Sequence, residues 1–296
     1  MARHTVHTRV RGPWSLATSR VFWEGFTPAA LQASIGDAAG TLRTVFRVDA
    51  DWTAAAAEVT QDGQTAIVTV EGDGDLDAAA AQVARFLSLD VDATRWPEVG
   101  RRDPVIADAQ ARLPGLRPCG FHSPYEAAAW AVLSQRLRVV HAAKLRAALV
   151  RDHGDQGAFP APARLLTLDL DLPGRKTEYL HAVADAALDG RLDGATLNAA
   201  DPQVAVRELQ TIKGIGPFAA ELVVLRGANA PDALPHNERR LDAEIEERYG
   251  AAQTLDEVAE AWRPFRTWAA VHLRALREQR THEMAGPGPS ATTDPH

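Results

Sequence analysis

The sequence predicts a mainly α protein, α+β overall: a small antiparallel α/β region at the start, followed by a helical region. Three observations carry this. The first hundred residues hold β-branched runs of strand length, the chain beyond residue 120 shows repeated capped helix starts, and residues 209–227 read as two helices joined by a tight glycine turn. The expected divisions are an N-terminal α/β domain over 1–100, a helical domain over 101–281 with its helical hairpin at about 202–227, and a disordered tail over 282–296.

In the first region, residues 5–11, 42–48 and 65–70 have strand character. Asp62-Gly63 is a hairpin signal between the 52–60 region and the third run. The alanine-rich stretch 78–89, with Leu76, Val83, Phe86 and Leu87, reads as a helix packed on that sheet. None of these residues points to chemistry, and the region reads as scaffold.

Residues 95–118, punctuated by Pro97, Pro104, Pro114 and Pro118, read as a connection with one short helix around 105–113. Ser123, Pro124 and Glu126 then make a helix start with a capping box, and Ala127, Trp130, Ala131 and Leu133 face a core. Ser134-Gln135-Arg136-Leu137 breaks that pattern, and Arg138, Lys144, Arg146 and Arg151 give the next helix a basic side. Residues 152–172 form a loop with Pro160 and Pro162. Residues 174–188 form a helix in which Arg175, Lys176 and Tyr179 are chiefly structural.

Asp201-Pro202 caps and starts the first hairpin helix. In the turn Lys213-Gly214-Ile215-Gly216-Pro217 the glycines permit close backbone approach, and Pro217 suits the first helical position. The outward N–H groups of such a turn can take an anion such as phosphate. Gly227 lies where a helix C-cap glycine belongs. Residues 255–261 form another helix, and Pro264 restarts the chain into a last one carrying Phe265, Trp268, Val271, Leu273 and Leu276.

Composition sets limits. The 296 residues are 46% hydrophobic and 24% charged, with no apolar run long enough for a bilayer and no signal-like apolar core at the start. A cytoplasmic protein is expected. Cys119 is the only cysteine, which excludes an intrachain disulfide and a four-cysteine iron–sulfur cluster. A net charge of −7 argues against general polyanion affinity, although a local basic face can coexist with it.

LQTIKGIGPFAAELVVLRG, from Leu209, resembles the helix-hairpin-helix of the DNA base-excision glycosylases, in particular that of bacterial 3-methyladenine DNA glycosylase II. GLRPCGFHSPYEAAAWAVLSQRLRVVHAAKLRAALV from Gly115, GRKTEYLHAVADAALDG from Gly174 and WRPFRTWAAVHL from Trp262 extend the likeness over about 115–280, in the expected order. The resemblance implies a helix-hairpin-helix DNA glycosylase fold and a monomer acting on double-stranded DNA with a damaged base. It also implies cytoplasmic use at the bacterial nucleoid and no cofactor for the chemistry. A structural Na+ or K+ at the carbonyls of Ile212 and Ile215 is implied as well.

By the same resemblance Lys213, Gly214, Ile215 and Gly216 bind the DNA backbone. Gln135, Arg136 and Leu137 sit where a side chain fills the gap left by an extruded nucleotide; Arg136 is either that wedge or a solvated surface charge. The family's catalytic aspartate is replaced: ungapped alignment from Leu225 through Pro235 puts Glu238 there, at a helix start with Asn237 or His236 as cap. Phe218 matches a ring of the base pocket and stands where strand-cleaving relatives carry a lysine nucleophile, so a monofunctional enzyme is implied. Leu222, Arg239 and Arg274 fall where the family has aromatics. Either the damaged base is a different, neutral one, or the arginines contact phosphate. Trp268 and Trp262 either stack on the base or belong to the core. The other reading is a catalytically weak or inactive lesion-binding protein of the same fold.

Overall fold

The computed structural model describes residues 1–25 and 40–281, so the expected disordered tail lies outside the described residues. Four strands, β1 (Ala2–Arg9), β2 (Thr41–Arg47), β3 (Ala54–Asp62) and β4 (Thr65–Gly72), form one antiparallel sheet in the order β1-β4-β3-β2. Register follows the apolar alternation: Val68 pairs with Val6 on one side and Val59 on the other, which turns one face of the sheet inward. The β3–β4 hairpin turns at Gly63, whose φ of 53° suits a two-residue loop.

Two helices close that sheet. Helix α1 (Leu16–Glu24) was not expected from the sequence, because its apolar stripe is short. Its start is nevertheless fixed by Ser15, whose hydroxyl accepts the Thr18 N–H. Helix α2 (Leu76–Phe86) is capped by Asp75 and lays Ala79, Val83 and Phe86 on Phe46, Val59 and Val70.

The 95–118 connection holds two helices rather than one, α3 (Trp96–Arg102) and α4 (Pro104–Arg112). Asp103 ends the first and caps the second, accepting from Val105 and Ile106 N–H, so a break in sequence pattern becomes a bend. Trp96, Val99 and Ile106 share a core with the last three helices, α12 (Arg239–Tyr249), α13 (Leu255–Ala259) and α14 (Arg266–Thr281).

The central core surrounds α5 (Pro124–Ser134), which is buried on all sides from Pro124 to Leu133 and not only on the expected face. Ser123 caps it as expected, but the capping box is incomplete. The Glu126 carboxylate turns inward to Arg146 at 2.6 Å and lies 3.8 Å from His122. Arg146 therefore leaves the expected basic face of α6 (Val139–His153) and is buried. Around α5 lie α7 (Pro162–Leu165), α8 (Lys176–Leu188), α9 (Gly194–Ala199), α10 (Pro202–Leu209) and α11 (Pro217–Leu222), which runs on as a π-helical turn over Val223–Gly227.

Gly227 is needed for a reason other than capping. A Cβ there would lie 2.8 Å from Ala127 Cβ and 2.8 Å from Pro124 Cα, so the glycine lets the hairpin touch the start of α5. The left-handed residue that ends the segment is Asn229, φ 60°, whose buried amide donates to the Arg85 carbonyl and Ser88 Oγ. Among the described residues no helix is long and apolar enough to cross a membrane.

Candidate active site and nucleic-acid interface

The hairpin is built by its caps. Asp201 accepts from Gln203 and Val204 N–H and starts α10, and Leu209 and Ile212 bury themselves in the helical core. The turn then exposes Lys213 and Gly216 and swings into α11 with Pro217 at its first position. Gly214 has φ 89°, and a Cβ on it would collide with the Tyr179 ring, so both conformation and contact demand glycine. Gly216 differs: its φ is −90° and a Cβ there meets open space. It caps α11 without a side-chain hydrogen bond, which leaves the first N–H groups of that helix facing outward.

Next to the turn lies the end of α5. Gln135 Nε2 donates to the Gly214 carbonyl at 2.7 Å, and the buried Lys176 ammonium donates to the carbonyls of Val132 and Gln135 at 2.7 and 2.8 Å. This clamp delivers Arg136, exposed and with φ 55°, in a left-handed conformation that costs a non-glycine residue about 1–2 kcal/mol. Such strain persists only where surrounding contacts over-determine it, and it clusters at functional sites. Gln135, Arg136, Tyr179 and residues 210–216 enclose one concave surface of about 530 Å³. The sequence-predicted backbone and wedge residues are therefore neighbours, with Leu137 half-buried beside them. Lys213 is not free at rest: it pairs with Glu178, which Arg175 also grips at 2.6 Å. Hydrogen bonds from Arg175 and Lys213 hold the Glu178 carboxyl down at about 2.

Glu238 is itself the N-cap of α12, a role expected of Asn237 or His236. Its carboxylate accepts the Arg240 N–H at 3.1 Å and lies 3.7 Å from Arg274 Nε of α14. It remains 24% exposed. Arg226, at the end of the π-turn, lies in the same field. Burial pushes its guanidinium down to about 10, with Cys119 and Glu238 opposing the shift and Arg274 adding to it. Asp242, one turn into α12, is pushed up by burial and by the Glu238 charge. The segment before Glu238 is tied back to the hairpin, since Glu221 of α11 accepts hydrogen bonds from the His236 and Asn237 N–H groups.

Of the expected base-pocket residues, Phe218 is 48% exposed on the second hairpin helix. Leu222 is half-buried against the helical core, and Arg239 is exposed next to Glu238. Trp268 is not available. It is buried among Trp96, Phe265 and the Arg117 guanidinium, 5.3 Å from its ring, and Trp262 is buried with its indole N–H on Asp103. Their spacing on amphipathic helices served packing. The contributions missed in the sequence were Tyr179 under Gly214, the Lys176 clamp as a positioner, and Glu221. A readable signal existed for Glu221, since a lone carboxylate in the apolar run Ala219–Leu225 must find partners if buried.

Comparison with known proteins bears on the fold and on the sequence likeness. The chain is 27% identical over 202 residues to a DNA-3-methyladenine glycosylase of Bacillus subtilis, covering 63% of this chain and 67% of the relative. It is 33% identical over 189 residues to DNA-3-methyladenine glycosylase 2 of Escherichia coli, covering 57% and 64%. About a third of each relative's own length thus lies outside the match. Among solved structures, a 3-methyladenine DNA-glycosylase from Archaeoglobus fulgidus superposes with a TM-score of 0.71 at 20% identity, over 95% of this chain and 99% of that one. No protein-family model matches the chain. The chain thus has the fold of the helix-hairpin-helix DNA glycosylases, and its sequence resembles bacterial 3-methyladenine DNA glycosylase II.

Proposed function

We propose that this protein is a monofunctional DNA glycosylase that hydrolyses the N-glycosidic bond of a damaged, alkylated base in double-stranded DNA and leaves an abasic site. The observation that carries the reading is the part-exposed Glu238 carboxylate at a helix start, its preceding loop bound to the same hairpin helix that begins at the glycine turn.

A base is cut from its sugar only after leaving the stack. The outward N–H groups of Gly216 and Phe218 would hold a phosphate, helped by Lys213 once it exchanges Glu178 for the DNA. Arg136, projected by its left-handed backbone, would fill the gap left by the extruded nucleotide. As the bond breaks, positive charge grows on the sugar, and Glu238 would stabilise it and orient the attacking water. Glutamate is one methylene longer than the family's aspartate. A misplacement of about 1 Å costs about 100-fold in rate, which slows such an enzyme without abolishing it. Phe218 in place of a lysine leaves no amine for strand cleavage. The Ile212 and Ile215 carbonyls would hold a monovalent cation that steadies the turn against phosphate.

The test is base release from duplex DNA treated with a methylating agent, with binding to an abasic-analogue duplex measured in parallel. Wild type should release base, and Glu238→Gln should lose about 100-fold or more of that rate while still binding. Binding without release by either protein would identify a lesion-binding protein of the same fold, a reading that the Arg274–Glu238 contact favours because it engages the carboxylate.

A further inference from the structure

We propose that Glu221 is the positioning residue that registers Glu238 against the DNA-gripping turn; the inference rests on the glycosylase reading for its catalytic consequence and on geometry alone for its structural one. Glu221 is 7% exposed in the second hairpin helix, where a carboxylate among Ala219, Ala220, Val223 and Val224 contributes nothing to apolar packing. Its partners explain its presence. Oε2 accepts the Asn237 N–H at 2.9 Å, and Oε1 accepts the His236 N–H at 3.2 Å and the Asn237 side-chain amide at 2.8 Å. The His236 ring adds a second brace, with Nδ1 3.7 Å from Glu221 Oε1 and Nε2 3.1 Å from Asp256.

All three hydrogen bonds reach the two residues directly before Glu238. The helix that carries Glu221 is capped by Gly216, and five steps of about 1.5 Å from that glycine put the Glu221 backbone only about 7.5 Å along the axis from the phosphate-facing turn. One short rigid segment thus carries the DNA grip at one end and a bracket for the Glu238 loop at the other. Because the donors are mostly backbone N–H groups, the bracket fixes the path of the chain whatever the loop side chains are. Glu221 itself does not touch the reacting atoms.

Three variants test this: Glu221→Ala removes the bracket, Glu221→Gln keeps the shape and one acceptor oxygen, and Glu238→Gln is the catalytic reference. The readouts are amide hydrogen exchange at His236 and Asn237, single-turnover base release from methylated duplex DNA, and the Kd for an abasic-analogue duplex. For Glu221→Ala we expect exchange at both amides to rise at least about tenfold and release to fall about 10- to 100-fold. Exchange at residues 213–216 and the Kd should stay within about twofold of wild type. Glu221→Gln should fall between Ala and wild type, and it remains informative should the alanine variant unfold. Native exchange at His236 and Asn237 in both variants overturns the bracket. Faster exchange with unchanged release overturns its role in catalysis. Faster exchange in a protein whose wild type and Glu238→Gln forms both release no base supports the bracket and refutes the glycosylase reading instead.

Discussion

Charged side chains on the two sides of the helical domain have opposite fates. Toward the sheet they are enclosed. Arg117 is buried and donates to the carbonyls of Pro13, Ser88, Val91 and Arg11, and Arg47 donates to Phe159 and Trp52. Glu126 and Arg146 form a buried ion pair, with His122 next to it against Phe46 and Phe86. Toward the hairpin, Arg136, Lys213 and Arg239 are exposed, and Glu238 keeps a quarter of its surface open. The enclosed set draws its partners from the protein itself, although Glu126 Oε1 has no hydrogen bond among the described residues, and it fixes how sheet and helices meet. The open set still has room for a ligand's charges. Residue type therefore does not tell a staple from a contact; the count of partners supplied by the fold does.

The comparison breaks most readily on the enclosed side. Arg117→Ala leaves four carbonyls without their donor and should cost about 4 kcal/mol, read as a lower urea midpoint. An Arg117→Ala variant of native stability would show that the junction is held by apolar contact alone. Glu126 gives a pH version. Burial opposes its ionisation, yet His122 and Arg146 outweigh burial and hold the carboxyl down at about 2. A lowered carboxyl stabilises the fold above the ordinary glutamate range and loses that contribution as pH falls toward about 2. The melting temperature of wild type should therefore exceed that of Glu126→Gln at neutral pH and converge with it through that acid window.

Smaller effects belong to the open side. Gly214→Ala meets both a left-handed backbone and the Tyr179 ring, so it should lose about 1–3 kcal/mol of stability together with DNA affinity. Gly216→Ala, with open space around it, should stay within about 0.5 kcal/mol and lose affinity alone. Equal destabilisation by the two would erase the distinction between fold glycine and contact glycine. Smallest is Glu178→Gln, which frees Lys213 and Arg175. DNA binding at low salt should tighten about two- to fivefold, and the salt slope should steepen by about one. An unchanged slope would place both cations away from phosphate.

Most of the architecture was legible in the sequence because caps and periodicities are local. Ser123, Asp201, Gly63 and the β-branched runs mark element starts and turns that need only their neighbours. What could not be read depends on distant partners. Arg146 reads as a surface cation in the sequence, yet Glu126 claims it; Trp268, open in the sequence between base stacking and the core, belongs to the core because Trp96, from a segment expected to be mainly loop, packs against it. Gly227 reads in the sequence as a helix-capping glycine, whereas its demand comes from Ala127 and Pro124 a hundred residues earlier. In the site, the glycine turn and the Gln135–Arg136 junction were readable as motifs. Glu221 and Lys176 act by holding other residues, and that role has no local pattern.

The claim on which the rest depends is that Glu238 acts at the sugar. The most direct measurement is the single-turnover rate of base release from methylated duplex DNA by wild type and Glu238→Gln, with abasic-analogue binding as the control for folding. A fall of about 100-fold or more with unchanged binding is expected. Equal release by the two proteins would contradict a role for this carboxylate in the chemistry.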